Sequence, residues 1–219
     1  MFEDFDKAIH LKPGLAEAYN DRAYTYVYLK QYSRAIPDYN EAIRLKPFGV
    51  ETAYANRGNA YSNLGQHQRA IEDFNEIIRL KPDSAGAYVD RGRAYDDLGQ
   101  YQRAIEDYDK AIRIDPNLAM GYNNRGFSYG NLGQYQRAIK DYDEAIRLKP
   151  DFTLAYANRG NAYFNIGQYQ RAIEDYNEII RLKPDEAAAY NDRGLAYVNL
   201  GQYQRAIQDY DTAIRLKPG

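Results

Sequence analysis

Apolar positions along this chain recur at spacings of three and four, and glycine or lysine–proline interrupts them at regular intervals. In Ala53–Gly65 the recurring residues are Tyr54, Arg57, Gly58, Tyr61 and Leu64. That spacing predicts one face of a helix with 3.6 residues per turn. A second run follows in Ala70, Ile71, Phe74, Ile77, Ile78 and Leu80, again at helical spacing. Gly65, Gly99, Gly133, Gly167 and Gly201 each fall just after a first run, where a left-handed C-cap is expected. The second run stops at Lys-Pro, because proline has no amide hydrogen and drives the residue before it out of the helical region. Each unit therefore reads as helix, tight turn, helix and proline-ended loop.

The units repeat. Gln66–Pro82, Gln100–Pro116, Gln134–Pro150, Gln168–Pro184 and Gln202–Pro218 align without gaps, each start 34 residues after the last. An earlier copy, Gln31–Pro47, lies 35 residues upstream of Gln66, which puts one extra residue in Phe48–Gly49–Val50. A degenerate half copy, Phe2–Pro13, precedes everything. A fixed period in this range signals a solenoid, whose units bury their apolar faces only by stacking on neighbours. Second helices are predicted over 2–11, 32–46, 67–81, 101–115, 135–149, 169–183 and 203–217, with first helices between them and no strand. The fold class is all-α: a right-handed α-solenoid superhelix of stacked antiparallel helix pairs. Residues 1–15 read as an orphan second helix. One continuous domain of six repeats follows at 16–50, 51–84, 85–118, 119–152, 153–186 and 187–219.

The unit resembles the tetratricopeptide repeat. Tyr stands at unit position 4 (Tyr19, Tyr54, Tyr88, Tyr122, Tyr156, Tyr190), a small residue at 8, Tyr at 11, Ala at 20, Tyr or Phe at 24 and Pro at 32. Two features depart from the family. Position 7, usually Leu, is Arg in every unit (Arg22, Arg57, Arg91, Arg125, Arg159, Arg193), and no extra capping helix follows Pro218–Gly219. Position 23 is always Asp (Asp38, Asp73, Asp107, Asp141, Asp175, Asp209), so the arginines are expected to form an ion-pair ladder with these carboxylates rather than a phosphate site. The tyrosines at positions 4, 11, 17 and 24 are expected to pack between helices, each ring buried with a polar tip left over. They account for most of the 24 tyrosines in a chain without tryptophan.

Composition removes several function classes. Lys+Arg 29 against Asp+Glu 31 leaves a net charge of -2, without the basic face that nucleic acid demands. No apolar run approaches membrane-spanning length and no signal-peptide pattern opens the chain. The absence of cysteine fits a reducing compartment and a cytoplasmic location, and it removes thiolate metal sites and cysteine nucleophiles. His10 and His67 are the only histidines, and His67 stands where other units have Tyr. No metal-ligand spacing, phosphate loop or nucleophile elbow is present. Carboxylates recur with the solenoid, whereas an active site needs a constellation that occurs once. The chain is therefore read as no enzyme, with no cofactor and no metal.

Positions 2, 5, 9 and 12 vary from unit to unit while the rest hold still, and their spacing puts them on one stripe of the first helix. In tetratricopeptide arrays that stripe lines the concave groove and meets the partner, so the resemblance implies a scaffold that binds an extended peptide or a helix. Position 6, always Asn or Asp, lies beside it. Its asparagines resemble the asparagine ladder of the O-GlcNAc transferase superhelix, which holds a peptide backbone. The groove residues singled out are Asn20, Tyr24, Asn56, Asn59, Arg93, Met120, Asn123, Asn124, Phe127, Leu154, Asn158, Asn161, Phe164, Asn191 and Leu195. Met120, Phe127, Leu154 and Phe164 form its most apolar stretch. No unit has Lys at position 5, so the chaperone-type carboxylate clamp is excluded. The partner is a protein or peptide, not nucleic acid or membrane. Two other readings stand beside this one: a structural module that stacks end to end on itself, and a recognition arm excised from a larger protein.

Overall fold

The computed structural model describes residues 2–45 and 49–217, which include Gly49 and Val50 of the one-residue insertion but not Pro47, Phe48, Pro218 or Gly219. Its contacts divide the chain into two compact units, Met1–Ile114 and Asp115–Gly219. The first holds α1 (Phe2–Leu11), α2 (Ala16–Tyr28), α3 (Tyr32–Leu45), α4 (Val50–Asn63), α5 (His67–Leu80), α6 (Ala85–Asp97) and α7 (Tyr101–Ile114). The second holds α8 (Ala119–Asn131), α9 (Tyr135–Leu148), α10 (Thr153–Asn165), α11 (Tyr169–Leu182), α12 (Ala187–Asn199) and α13 (Tyr203–Leu216). No strand occurs among the described residues.

From α2 onward, even-numbered helices are the first of a hairpin and odd-numbered ones the second. In the first unit α2–α3, α4–α5 and α6–α7 are hairpins, stacked through α3 on α4 and α5 on α6. In the second unit α8–α9, α10–α11 and α12–α13 are hairpins, stacked through α9 on α10 and α11 on α12. The first helices α2 and α4, α4 and α6, and α8 and α10 also approach one another directly, so first helices line the inner side of each stack.

The local signals act as their chemistry requires. Gly65, Gly99, Gly133, Gly167 and Gly201 all take φ between 70° and 76°, the left-handed cap expected of them. The first hairpin has no glycine at this turn, and Lys30 adopts φ 58° in its place. Second helices after α1 end at Leu or Ile, one residue earlier than the spacing predicts. The lysine before proline is already extended, as at Lys81 with φ -135° and ψ 84°. In the insertion, Gly49 turns the chain at φ 86° and Val50 joins α4, which gains one residue over the other first helices. Pro37 sits inside α3 without ending it.

Between the two helices of a hairpin the contact is small against large. A Cβ built on Gly92 would lie 2.7 Å from the Tyr108 ring, which is itself fully buried. The position-20 alanines Ala35, Ala70, Ala104, Ala138 and Ala172 are likewise 0% exposed. Tyrosines at positions 4, 11 and 17 are mostly half-buried, so the packing role expected of them falls most fully on the ring at position 24.

Candidate functional site

The repeated arginine is occupied inside the scaffold. In every hairpin Nε and one terminal nitrogen donate side by side to the position-23 carboxylate. Arg159, for example, donates from Nε to Asp175 Oδ2 at 3.0 Å and from Nη2 to Asp175 Oδ1 at 2.6 Å. The same fork joins Arg22 to Asp38, Arg57 to Asp73, Arg91 to Asp107, Arg125 to Asp141 and Arg193 to Asp209. The remaining nitrogen, Nη1, reaches the preceding second helix: Arg57 to Asn40, Arg91 to Asn75, Arg159 to Asp143 and Arg193 to Asn177, each at 2.6 Å. Each guanidinium also stands over the position-4 tyrosine of its own helix, 5.5 Å from the ring centre at Tyr156. Burial pushes the Asp73, Asp107 and Asp175 carboxyls above their ordinary range, and the arginine bonds pull back without cancelling it. A guanidinium whose charge is already matched by a buried carboxylate, with three of its five N–H groups committed to two helices, serves the scaffold rather than a phosphate.

The variable stripe divides into positions that are open and positions that are not. In the first unit Tyr24, Asn59 and Arg93 are exposed, while Asn20 and Asn56 are half-buried. Asn20 borders a crevice of about 180 Å³ between α2, α3 and α4, shared with Glu17, Asp21 and Thr52, and its Oδ1 has no hydrogen-bond partner. In the second unit Met120, Phe127, Leu154 and Leu195 are 44%, 45%, 49% and 43% exposed, with Asn161 and Asn191 open beside them. Asn124 and Asn158 are half-buried.

Two expected groove residues are placed otherwise. Asn123 is only 2% exposed, because position 5 faces the next first helix rather than open space. It accepts from Asn158 Nδ2 at 3.1 Å and donates to Asn124 Oδ1 at 3.2 Å, so its amide is consumed between helices and cannot read a ligand's backbone. Phe164 is half-buried, edge-on to Tyr169 at 5.1 Å and packed against the core around Ile173 and Tyr176.

What remains open has a defined polarity. Tyr176 Oη donates to Asn161 Oδ1 at 2.8 Å, which fixes that amide and leaves Nδ2 as the group offered outward. Phe127, Asn158, Asn161 and Ala162 line a crevice of about 270 Å³ floored by Tyr142. Asn131 and Asn165, both at unit position 13 and outside the variable stripe, line the same crevice. Each donates from Nδ2 to a backbone carbonyl four residues earlier, on Phe127 and on Asn161. The signal was present in the sequence, since position 13 lies one turn beyond position 9 and is Asn in four of the units (Asn63, Asn131, Asn165, Asn199).

Three family patterns described as tetratricopeptide repeat match this chain, one over residues 16–48, 52–84 and 119–152, one over 141–174 and one over 160–219, and a fourth, described as TPR repeat, matches 92–133. The chain belongs to the tetratricopeptide repeat family. No curated protein sequence matches it. Among solved structures, this tetratricopeptide chain is similar to MamA at 27% identity and TM-score 0.68, over 74% of this chain and 94% of that one. A tetratricopeptide repeat protein from Parabacteroides merdae ATCC 43184 aligns at 21% identity and TM-score 0.78, over 98% of this chain and 85% of that one. The APC/C hetero-tetramer Cut9–Hcn1 aligns at 19% identity and TM-score 0.79, over 100% of this chain and 43% of that one. As a tetratricopeptide array it is, at the general level, a protein-interaction scaffold. No described helix is long and apolar enough to cross a membrane.

Proposed function

We propose that the inner face of the second unit binds an extended, predominantly apolar peptide segment of a partner protein. One observation carries this reading: Met120, Phe127, Leu154 and Leu195 are all exposed on first helices, on a stripe without charge. Positions 2, 5, 9 and 12 of its three repeats are Met120, Asn123, Phe127, Gly130, Leu154, Ala157, Asn161, Phe164, Ala188, Asn191, Leu195 and Val198, none of them ionisable. A face that met only water would have no reason to keep large apolar side chains there, and interface centres are depleted in charge and enriched in aromatic residues and Met. Asn161 Nδ2, held outward by Tyr176, offers a donor to a peptide carbonyl, and Asn158 Oδ1 offers an acceptor to a peptide N–H. Amide contacts of this kind tolerate many sequences, so the apolar anchors carry most of the affinity.

The test is to select peptides from a randomised displayed library against the whole chain and measure their affinity by calorimetry. Phe127→Ala should weaken binding by about 1–3 kcal/mol. Its helix content should stay unchanged, because the ring is 45% exposed. Phe164→Ala is the weaker probe, since that ring also supports the core. Selected peptides that bind wild type and Phe127→Ala/Leu154→Ala equally would move the site off this face.

A further inference from the structure

Two helices of this chain carry the same face. The last ten residues of α13, IQDYDTAIRL, align without a gap on α1, FEDFDKAIHL. Ile207 corresponds to Phe2, Tyr210 to Phe5, Asp211 to Asp6, Ala213 to Ala8, and Ile214 to Ile9. In α11 the equivalent of Ile207 is Ile173, 2% exposed in a cluster with Ala189 and Ala196 of the next first helix, α12. On α13 that face lies open, with Ile207 56% and Ile214 66% exposed.

The matching face on α1 is in use, but lightly. α1 covers α2 without burying any of its own residues. Its hold includes the Phe2 ring stacked on Tyr26 at 4.7 Å and Asp6 Oδ1 accepting from Arg22 Nη1 at 2.5 Å. That second contact is the rung seen throughout the array, where Nη1 of the next arginine takes Asn40, Asn75, Asp143 or Asn177. Asp211 stands at the same register on α13, exposed and of the right charge for Arg22. α13 also has the extra turn Tyr203–Ala206 that α1 lacks.

We propose that α13 of one copy displaces α1 from α2 of a second copy, so that copies join head to tail and α1 acts as the built-in competitor that limits this. The occupant is a second copy because α13 supplies the apolar residues, the register and the Arg22 acceptor together. A tethered α1 sits at millimolar effective concentration, so it must be outcompeted and the association is weak and concentration-dependent. The contact is heterologous, joining α13 of one copy to α2 of another.

Sedimentation velocity on the full chain, from micromolar to near-millimolar concentration, tests this. Phe2→Ala/Asp6→Ala loosens α1 and should assemble at concentrations at least ten-fold below wild type. Adding Ile207→Glu/Ile214→Glu to that variant should return it to monomer, with circular dichroism unchanged because both side chains are exposed. Phe127→Ala should assemble as wild type does, which separates this proposal from the peptide-binding reading. The proposal is overturned if the α1-loosened variant stays monomeric or assembles no more readily than wild type. It is equally overturned if the glutamate variant still assembles.

Discussion

At unit position 24 one hydroxyl group has opposite consequences in different repeats. Tyr108 Oη donates to Asp96 Oδ2 at 2.7 Å and Tyr176 Oη to Asn161 Oδ1 at 2.8 Å, so both buried phenols are satisfied. Tyr39 is equally buried, and its Oη has no partner. A satisfied hydrogen bond contributes about 0.5–1.5 kcal/mol, whereas a buried unsatisfied polar group costs about 1–3 kcal/mol. Tyr176→Phe should therefore destabilise by about 1 kcal/mol, and Tyr39→Phe should be neutral or stabilise by about 1 kcal/mol. Phe74 already occupies this position in the second repeat. Urea unfolding of the two variants checks the contrast, and equal losses would refute it. Asp90, at position 6, gives a pH-dependent case. Burial pushes its carboxyl up, and nearby Arg93 pulls it back only in part. With its folded pKa above the unfolded one, ionised Asp90 costs stability at neutral pH, and the cost fades as pH falls through the folded pKa. Asp90→Asn should thus gain about 0.5–2 kcal/mol at pH 7. The gain should vanish below the unfolded aspartate pKa of about 3.9. A gain of the same size at pH 3 would assign the effect to packing instead.

At the scale of the helix, each arginine does two jobs that mutation can separate. Asp175, with 4% of its side chain exposed, closes the α10–α11 hairpin through Arg159, whereas Asp143, 51% exposed, ties the same arginine to the preceding helix α9. Removing one member of a desolvated pair strands the other, which costs about 3–5 kcal/mol, while an exposed pair is worth about 0–1 kcal/mol. Asp175→Ala should lower the stability of the chain by several kcal/mol and Asp143→Ala by less than about 1 kcal/mol. Comparable losses in denaturant titration would show that the rung between hairpins is not the solvent-screened contact its exposure implies. The helix boundaries themselves were legible in advance, because glycine and lysine–proline act on the backbone within a few residues. Lys30 is the exception. It takes the left-handed cap without being a glycine, and the sequence marks that turn only by its distance from the neighbouring ones.

At the scale of the whole molecule, each hairpin within a compact unit touches chiefly its sequence neighbours there, so a single repeat read closely describes most of the array. That is why the sequence alone determined the period, the thirteen helices among the described residues, the Arg–Asp pairs and the stripe of variable positions. All of these follow from spacing along a helix and from a pattern repeated until chance is excluded. Which members of the stripe stay open was decided by tertiary structure. Position 5 is exposed at Asn191 and buried at Asn123, although both are asparagines in the same register. The difference is a neighbour: Asn123 meets Asn158 from the next first helix, and no side chain from a following first helix meets Asn191 among the described residues. Phe127 and Phe164 differ by register instead: position 9 is exposed in every unit, whereas position 12 is half-buried in all but the last, Phe164 against Tyr169 of its own hairpin. Helical periodicity gives the direction of a side chain, and only the packed neighbours fix whether that direction ends in protein or in solvent.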